Sequence, residues 1–194
     1  MSDKTTTNYF PAFLKLERKK VLLVGGGNIA YEKLSKLLDF TGEIVIVASE
    51  ISQEMLQLIA KHKLAYHKRE YLKGDIEGYS IVVVAVDDIT LQKEIYKESQ
   101  NYKCLCNAVD SVEYCDFIFP SYIKEDDLTV AISTSGASPA FAKHFKHYLR
   151  EKIPQHISQF LQEMKKLRSE LPKGVERMRL LDKKAKDFIA NLKG

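Results

Sequence analysis

The sequence predicts an α/β fold in which an N-terminal parallel sheet is followed by a β-hairpin and then by a helical C-terminal region. Three observations support this prediction. Apolar runs typical of strands alternate with segments of helical period up to about residue 110. Two further apolar runs then flank a polar turn, and the rest of the chain carries amphipathic stripes. The predicted regions are 1–112, 113–150 and 151–194.

The composition is that of a folded protein that binds small molecules. Hydrophobic residues make up 45% and charged residues 29% of the chain, enough to form a core. The net charge of +4 is too small and scattered for a nucleic-acid surface, but it suits an acidic small molecule. No apolar run is long enough to span a membrane, and Met1–Thr5 has no secretory pattern. We therefore expect a cytoplasmic protein with neither nucleic-acid nor membrane partners.

The cysteines predict buried thiols rather than disulfides. The chain has three, an odd number, and no secretory signal. Cys104 and Cys106 flank Leu105 along a predicted strand, and free cysteine commonly behaves as a small buried hydrophobe. We expect both to lie in the core.

The first strands and helices form a βαβ unit. Lys20–Val24 is a short β-branched run that stops at three glycines, and a helix is predicted over Asn28–Phe40. Ile44–Ala48 is continuously apolar, as expected for a parallel strand covered on both faces. Ser52–His62 has helical spacing and predicts the next helix.

The following segments extend the sheet. Tyr66–Arg69 predicts an edge strand, and Ser80–Val86 predicts a buried one. A helix over Ile89–Asn101 leads to a fifth strand over Lys103–Ala108. Strands that alternate with helices give a parallel, doubly wound sheet with right-handed crossovers. A ligand of such a sheet binds at the carboxyl ends of the strands.

The pattern changes after Asp110. Phe117–Pro120 and Leu128–Ile132 predict two strands joined by the polar turn Lys124–Asp127, which gives a hairpin rather than another βαβ unit. Ser138-Pro139 predicts an N-cap and a first helical residue. This central segment is the predicted dimerisation hairpin.

The C-terminal region carries two amphipathic stripes, which predict two helices. They consist of Ile157, Phe160, Leu161, Met164 and Leu167, and of Val175, Met178, Leu181, Ala185, Phe188, Ile189 and Leu192. Such a pair either folds back on its own chain or buries its stripes against a second subunit. Because symmetric dimers are the commonest oligomers, we expect a homodimer.

The glycine-rich turn Gly25–Ala30 has the spacing G-x-G-x-x-A. Gly25 would permit the tight turn, Gly27 would let the backbone approach a pyrophosphate, and Ala30 would keep helix and strand close. The apolar strand before it and the helix after it make this a Rossmann-type dinucleotide-binding turn. The alternative is a strand-to-helix turn that is only structural.

The end of the second strand predicts the ribose contacts. Ser49 and Glu50 follow Ala48, where an acidic residue usually binds the ribose hydroxyls. No arginine stands there to hold a 2′-phosphate, which favours NAD over NADP. Alternatively, Glu50 only begins the helix that follows.

Asp110 is the candidate catalytic residue. It follows the fifth strand in Asn107–Asp110, which places its carboxylate at the carboxyl edge of the sheet, where an acid or base is useful. An aspartate at a strand end is also a common turn or cap residue, and that alternative stays open.

Several motifs in one order resemble a known family. They are Gly25–Lys33, Asn107–Asp110, Phe119-Pro120 and Thr134–Pro139, with support from Phe10-Pro11 and from Asp75–Asp88. Together they resemble the precorrin-2 dehydrogenase family, which forms the dehydrogenase module of siroheme synthases. The resemblance covers roughly Tyr9–Arg150.

This resemblance implies NAD-dependent oxidation of precorrin-2 to sirohydrochlorin in siroheme biosynthesis, with ferrous iron insertion in some members. Asp110 matches the family's catalytic aspartate and is the expected general base. Asn28 and Ile29 match positions that contact the phosphates, Ser49 and Glu50 match positions near the ribose, and Asp87 matches a further position at the cofactor edge.

The substrate predicted by the resemblance is an acidic tetrapyrrole. Helix N-termini, hydroxyls and cations suit its carboxylates. The expected contacts are Asn107, Thr134, Ser135, Ser138 and Lys143, although Thr134 replaces a serine that is common in the family. For Ser135, Ser138 and Lys143 the alternative is a capped surface helix with a solvated lysine.

We expect no resident metal. His144 and His147 lie three residues apart on one helix and either assist a passing metal ion or are merely exposed. The chain has no long C-terminal methyltransferase region of the kind found in fused siroheme synthases, so we expect methylation of the precursor to occur elsewhere.

Two other functional classes remain open. One is a sensor that binds NAD, or a protein that binds tetrapyrroles, without turnover. The other is an interaction module whose helical tail binds a partner enzyme.

Overall fold

The computed structural model of the protein describes residues 9–192. Met1–Thr5, from which the absence of a secretory pattern was inferred, lies outside the described residues. The chain divides into two compact units, one over residues 9–118 and the other starting at residue 119. This division is spatial and does not test the functional regions 1–112, 113–150 and 151–194, which stay predictions.

The first unit contains a five-stranded parallel sheet, as the sequence predicts. Its strands are β1 (Val21–Val24), β2 (Ile44–Val47), β3 (Ala65–His67), β4 (Ile81–Val84) and β5 (Leu105–Ala108). Their order is β3-β2-β1-β4-β5, with Val21 opposite both Ile44 and Ile81. The chain therefore winds outward from β1 in both directions, which creates a switch point at the carboxyl ends of β1 and β4.

The first unit contains three helices, two of which begin at a capping side chain. They are α1 (Asn28–Leu38), α2 (Gln53–His62) and α3 (Ile89–Tyr102). The hydroxyl of Ser52 accepts from the backbone N–H of Met55, and the Asp88 carboxylate accepts from Thr90 and Leu91. Such caps satisfy backbone donors that the first turn of a helix leaves without a partner.

The core of the first unit is centred on β1 and β4, whose residues are all buried. Burial on both faces explains why these strands read as continuous apolar runs. Cys104 and Cys106 are 2% and 0% exposed, whereas Leu105 between them is 38% exposed. The prediction that both thiols are buried is confirmed.

The outer edge of β5 is covered by the segment that follows it. The Asp116 carboxylate accepts from the Cys106 N–H at 2.8 Å, and the Asp116 N–H donates to the Cys106 carbonyl at 2.8 Å. Cys115 forms an antiparallel bridge with Asn107, and its thiol donates to the Ala108 carbonyl at 3.0 Å. A short 3-10 turn over Val112–Tyr114 makes this return possible.

The buried thiols predict a loss of stability at alkaline pH. Burial raises the pKa of Cys104 to about 12 and also raises that of Cys106, both from 9.0. Unfolded chains therefore release these protons first, so the stabilisation is complete below about pH 9 and is lost as the pH rises toward the folded-state values. We expect the urea midpoint of unfolding to fall between about pH 8 and pH 10.5.

A variant that lacks both thiols isolates their contribution to the pH dependence of stability. The double substitution Cys104→Ala and Cys106→Ala should lower stability at about pH 8, because it leaves cavities, but should flatten its decline with pH. The lysines and tyrosines are the same in both proteins, so the two declines differ only in the part that depends on Cys104 and Cys106. Parallel declines in the two proteins would contradict the prediction.

The second unit begins with a β-hairpin, but its first strand differs from the prediction. β6 (Ser121–Glu125) pairs antiparallel with β7 (Leu128–Ile132). The prediction of a strand over Phe117–Pro120 was wrong. The turn consists only of Asp126-Asp127, so Glu125 pairs with Leu128 and the register runs back to Ser121. Lys124 and Glu125 therefore belong to the strand and not to the turn.

Three helices follow the hairpin in this unit. They are α4 (Pro139–Lys152), α5 (Ile157–Glu170) and α6 (Val175–Asn191). The two C-terminal helices pack on each other through Phe160 and Phe188, whose rings stack at 3.9 Å, and an ion pair joins Lys184 to Glu163 at 2.7 Å. The predicted helical C-terminal region is confirmed. Among residues 9–192, no helix is both long and apolar enough to cross a membrane.

Candidate functional site

The glycine turn is fixed between the ends of β4 and β2. Gly25 follows β1 with φ +125°, and a Cβ there would lie 2.2 Å from the Ala85 carbonyl oxygen. A Cβ on Gly26 would lie 2.1 Å from the Glu50 carbonyl oxygen, and the Gly26 carbonyl accepts from the Ser52 N–H at 2.9 Å. The sequence predicted the tight turn at Gly25 but gave Gly26 no role. Both positions admit only glycine for reasons of space.

Gly27 has a different environment, because a Cβ there would meet no protein atom within 4 Å. It is the N-cap of α1 and provides no capping side chain, and the first turn of α1 holds no acidic residue. Asn28 and Ile29 are exposed, whereas Ala30 is fully buried against the sheet. The first N–H groups of α1 and the helix dipole therefore favour an anion at an open surface, which fits a pyrophosphate.

The predicted ribose residues lie next to the edge strand β3, which is followed by a lysine. Ser49 and Glu50 are exposed after β2. The neighbouring β3 joins this strand end, since the Ala48 N–H donates to the His67 carbonyl at 3.2 Å. Lys68 is exposed directly after β3, and it was not predicted as a site residue because the ribose contacts were expected only at the end of β2.

Arg69 is engaged elsewhere. Its guanidinium binds the Asp75 carboxylate through two bonds of 2.6 and 2.8 Å. This pair lowers the pKa of Asp75, with the Arg69 hydrogen bond as the main cause. Glu50 follows β2, and Lys68 follows the neighbouring β3. Both charged residues therefore lie at the strand ends where the ribose is predicted to bind.

Asp87 and Asp110 follow neighbouring strands at the same edge. Asp87 is exposed three residues after the end of β4, and Asp110 is exposed two residues after the end of β5. Asp110 has φ +61°, in the left-handed region that costs a non-glycine residue roughly 1 kcal/mol. The turn after β5 thus holds the candidate base in an unfavourable backbone conformation.

Lys33 of α1 interacts electrostatically with Asp110. Its ammonium is half-buried, and burial lowers its pKa from 10.5; the nearby Lys36 acts in the same direction, whereas the Asp110 carboxylate opposes both. In the sequence, Lys33 only marks the end of the motif Gly25–Lys33. Its proximity to Asp110 depends on the packing of α1 against the sheet, which no local pattern reveals.

Asn107 is buried on β5 and has a clear structural role. Its amide donates to the Phe117 carbonyl at 2.8 Å and to the Cys115 sulfur at 3.4 Å. Its Oδ1 is buried and, within the described residues, has no hydrogen-bond partner. The donors hold the segment after β5, and Oδ1 is buried, so the predicted substrate contact of Asn107 stays a prediction.

The predicted substrate residues of the second unit lie in the loop before α4 and on α4 itself. Thr134 Oγ1 accepts from the Ser138 N–H at 3.0 Å, and Ser138 Oγ accepts from the Phe141 N–H at 3.1 Å. Ser135 is exposed with φ +50°, and Lys143 is exposed on α4. The capping role predicted for Ser138 is confirmed, and the threonine hydroxyl supports the same turn.

His144 and His147 are exposed on α4. In the part of the chain that the structure describes, no group of three or more His, Cys, Asp or Glu side chains is arranged to hold a metal ion.

The carboxyl edge of the parallel sheet therefore gathers five features of the candidate nucleotide site. They are the glycine turn, the N-terminus of α1, Ser49 with Glu50, Asp87, and Asp110 with Lys33. Chemically, this edge can bind a dinucleotide through backbone donors and present a carboxylate beside it.

The comparisons with known proteins agree with this geometry. Residues 12–121 match the family model NAD_binding_7, described as NAD(P)-binding. Siroheme synthase of Mannheimia succiniciproducens is 35% identical over 150 residues, which is 77% of this chain and 32% of that protein. Siroheme synthase of Neisseria meningitidis serogroup C is 32% identical over 77% of the chain and 31% of its own length. The chain spans about a third of the length of these relatives.

A solved structure covers nearly the whole chain. SirC, a precorrin-2 dehydrogenase, superposes with a TM-score of 0.74 at 26% identity, over 95% of this chain and 99% of that one. The family match includes the glycine turn, Ser49, Glu50, Asp87 and Asp110. The chain therefore belongs to this NAD(P)-binding family.

Proposed function

We propose that the chain is an NAD-dependent precorrin-2 dehydrogenase, which forms sirohydrochlorin in siroheme biosynthesis and acts as a cytoplasmic homodimer. The observation that carries this proposal is the similarity to SirC, which extends over nearly all of both chains. The siroheme synthase relatives support the same pathway.

The carboxyl edge of the sheet supports the choice of cofactor site. The backbone of Gly25–Gly27 and the first N–H groups of α1, at Asn28 and Ile29, would hold the pyrophosphate. Ser49 and Glu50 would bind the ribose, and Asp87 would border the cofactor. When bound, NAD would supply the redox chemistry by accepting a hydride from the substrate.

Glu50 supports NAD rather than NADP, because its carboxylate would repel a 2′-phosphate. Lys68, exposed after the neighbouring β3, is the group that would favour NADP instead. Isothermal titration with both cofactors decides between them. We expect NAD to bind at least about tenfold more tightly, which corresponds to roughly 1.4 kcal/mol. Equal affinities would contradict the proposed role of Glu50.

Asp110 is the proposed general base. Loss of a hydride from a carbon of precorrin-2 must be accompanied by loss of a proton, and an exposed carboxylate at the nucleotide edge can accept it. Lys33 adds a positive charge near this carboxylate, since the two side chains interact electrostatically.

The loop before α4 supports recognition of an acidic substrate. Ser135 and Lys143 are exposed and offer a hydroxyl and an ammonium to carboxylates. Thr134 and Ser138 maintain the loop through their hydrogen bonds, and Asn107 holds the segment after β5 in the first unit through its amide donors. We therefore assign direct contacts to Ser135 and Lys143 and supporting roles to the others.

The second unit also supports a homodimer. On α6, Val175, Met178 and Ile189 are 61%, 68% and 53% exposed, although they belong to an apolar stripe. Exposed apolar surface of this kind marks an interaction site, and a second copy of the chain is the simplest partner. Sedimentation equilibrium is expected to give twice the monomer mass of 22.2 kDa. A monomer at micromolar concentration would contradict the dimer.

The test of activity is anaerobic incubation of the purified protein with precorrin-2, with and without NAD. We expect NADH and the sirohydrochlorin spectrum to appear together and only when NAD is present. Adding ferrous iron in a further arm tests whether the chain also inserts the metal. Tight NAD binding without turnover would contradict the dehydrogenase and favour a sensor.

A further inference from the structure

Gln92 is a buried polar residue at the carboxyl edge of the parallel sheet, beside the candidate site. It lies on the first turns of α3 and is 3% exposed. Its backbone N–H donates to the Asp88 carbonyl at 3.0 Å, so its position relative to the helix cap is fixed. A buried amide side chain has two donors and an acceptor that must find partners, and it is retained only where these partners exist.

The side chain of Gln92 joins the two strand ends that carry Asp87 and Asp110. Its Nε2 donates to the Val86 carbonyl at 2.7 Å and to the Val109 carbonyl at 3.2 Å. Its Oε1 accepts from the Ser111 hydroxyl. One side chain thus contacts the residue before Asp87 and the residues on both sides of Asp110.

These bonds begin where the sheet ends. The Val109 N–H still donates to the Val84 carbonyl at 2.9 Å, which extends the ladder between β4 and β5 by one bond. Beyond this point, the carbonyls of Val86 and Val109 receive their bonds from Gln92. The amide therefore replaces the missing ladder and keeps the two turns at a fixed separation.

Asp110 needs such support more than its neighbours do. Its φ of +61° is unfavourable for a residue with a Cβ and persists only where the surroundings enforce it. The bonds from Gln92 to Val109 and from Ser111 to Gln92 hold the backbone immediately before and after Asp110.

We propose that Gln92 is a positioning residue, which fixes the carboxylate of Asp110 for proton transfer by tying the turn after β5 to the turn after β4. This proposal rests on the proposed function of Asp110. Gln92 itself contacts neither reacting atoms nor cofactor, so it acts only through the turns that it holds.

The test compares two variants of α3. Gln92→Met preserves volume but removes all three side-chain hydrogen bonds. Glu98→Gln is the matched control, because Glu98 is also a buried polar residue of α3 but binds the Tyr71 hydroxyl and the Gly74 N–H, away from the strand ends. Misplacement of a catalytic group by about 1 Å can cost roughly 100-fold in rate. We expect Gln92→Met to lower kcat about 10- to 100-fold with little change in the KM for NAD, and Glu98→Gln to leave both constants within about twofold.

A double variant separates positioning from a general structural effect. If Gln92 acts through Asp110, Gln92→Met should cost far less in the Asp110→Asn background than in the parent, because the group that it positions is already lost. Equal fold-losses in both backgrounds, or unchanged kcat in Gln92→Met, would overturn the proposal.

Hydrogen exchange provides a readout that does not depend on turnover. The Ser111 N–H donates to the Ala108 carbonyl at 3.3 Å, and we expect its exchange to accelerate in Gln92→Met but not in Glu98→Gln. If Asp110→Asn alone retains full turnover, the proposed base is wrong, and a positioning role in catalysis is overturned with it. Accelerated exchange would then still identify Gln92 as the residue that holds this turn. If Asp110→Asn is inactive but exchange and kcat are unchanged in Gln92→Met, only the proposal for Gln92 fails.

Discussion

Replacing Asp110 by asparagine is expected to lower kcat for precorrin-2 oxidation by about 10²- to 10⁴-fold, the usual contribution of a general base. The amide keeps the size of the side chain but cannot accept the substrate proton. Because Asp110 is exposed, the change should leave the thermal midpoint and the affinity for NAD nearly unaltered. Anaerobic stopped-flow measurement of NADH formation, with NAD affinity measured by titration, checks both expectations.

Glu113→Gln is the control for this substitution. Glu113 is an exposed acid on the 3-10 turn that follows Asp110, so the variant loses the same charge three residues away. Its kcat should stay within about twofold of the parent, as expected when only a distant, screened charge changes. Equal losses in both variants would indicate a general electrostatic effect and refute the role of Asp110 as base.

Gly25→Ala is expected to destabilise the protein by about 3 kcal/mol. The new Cβ would lie 2.2 Å from the Ala85 carbonyl oxygen in a residue with φ +125°, so overpacking adds to backbone strain. For a chain of this size, the loss corresponds to a fall of roughly 10 °C in the thermal midpoint. Calorimetry of the variant and the parent measures it.

Gly27→Ala separates binding from folding at the same turn. A Cβ on Gly27 meets no protein atom within 4 Å, so stability should change by less than about 1 kcal/mol. The methyl group would instead occupy the surface offered to the pyrophosphate, and NAD affinity should fall at least about tenfold. If Gly27→Ala binds NAD normally, the pyrophosphate does not lie on this turn.

The sequence predicted the first unit well because its signals are local. Runs such as Ile81–Val84 are buried on both faces, and the glycines after Val24 form a dinucleotide motif that has a strand before it and a helix after it. The first hairpin strand was predicted too early. The apolar run Phe117–Pro120 suggested a strand there. The two-residue turn at Asp126-Asp127 instead sets the register, and pairing back from this turn places the strand at Ser121–Glu125.

The candidate site was predicted only in part because much of it depends on sheet order. Asp110 follows a strand and could be found from sequence. Lys33, Lys68 and Gln92 reach the site only because α1, β3 and α3 pack beside particular strands. Gln92 in particular resembles an ordinary polar helix residue, and only its burial and its two carbonyl partners indicate a role.

The contacts of Asp116 along β5 also protect the protein from aggregation. An uncovered edge strand offers a row of N–H and C=O groups to which another chain can add a strand. Here, the outward N–H and C=O of Cys106 both bind Asp116, and the Ala108 carbonyl accepts from the Cys115 thiol. The opposite edge, β3, is only three residues long and is followed by the exposed Lys68, whose charge opposes strand addition. Both edges of the parallel sheet are therefore poor templates for a strand from another molecule, although the strands between them are strongly apolar.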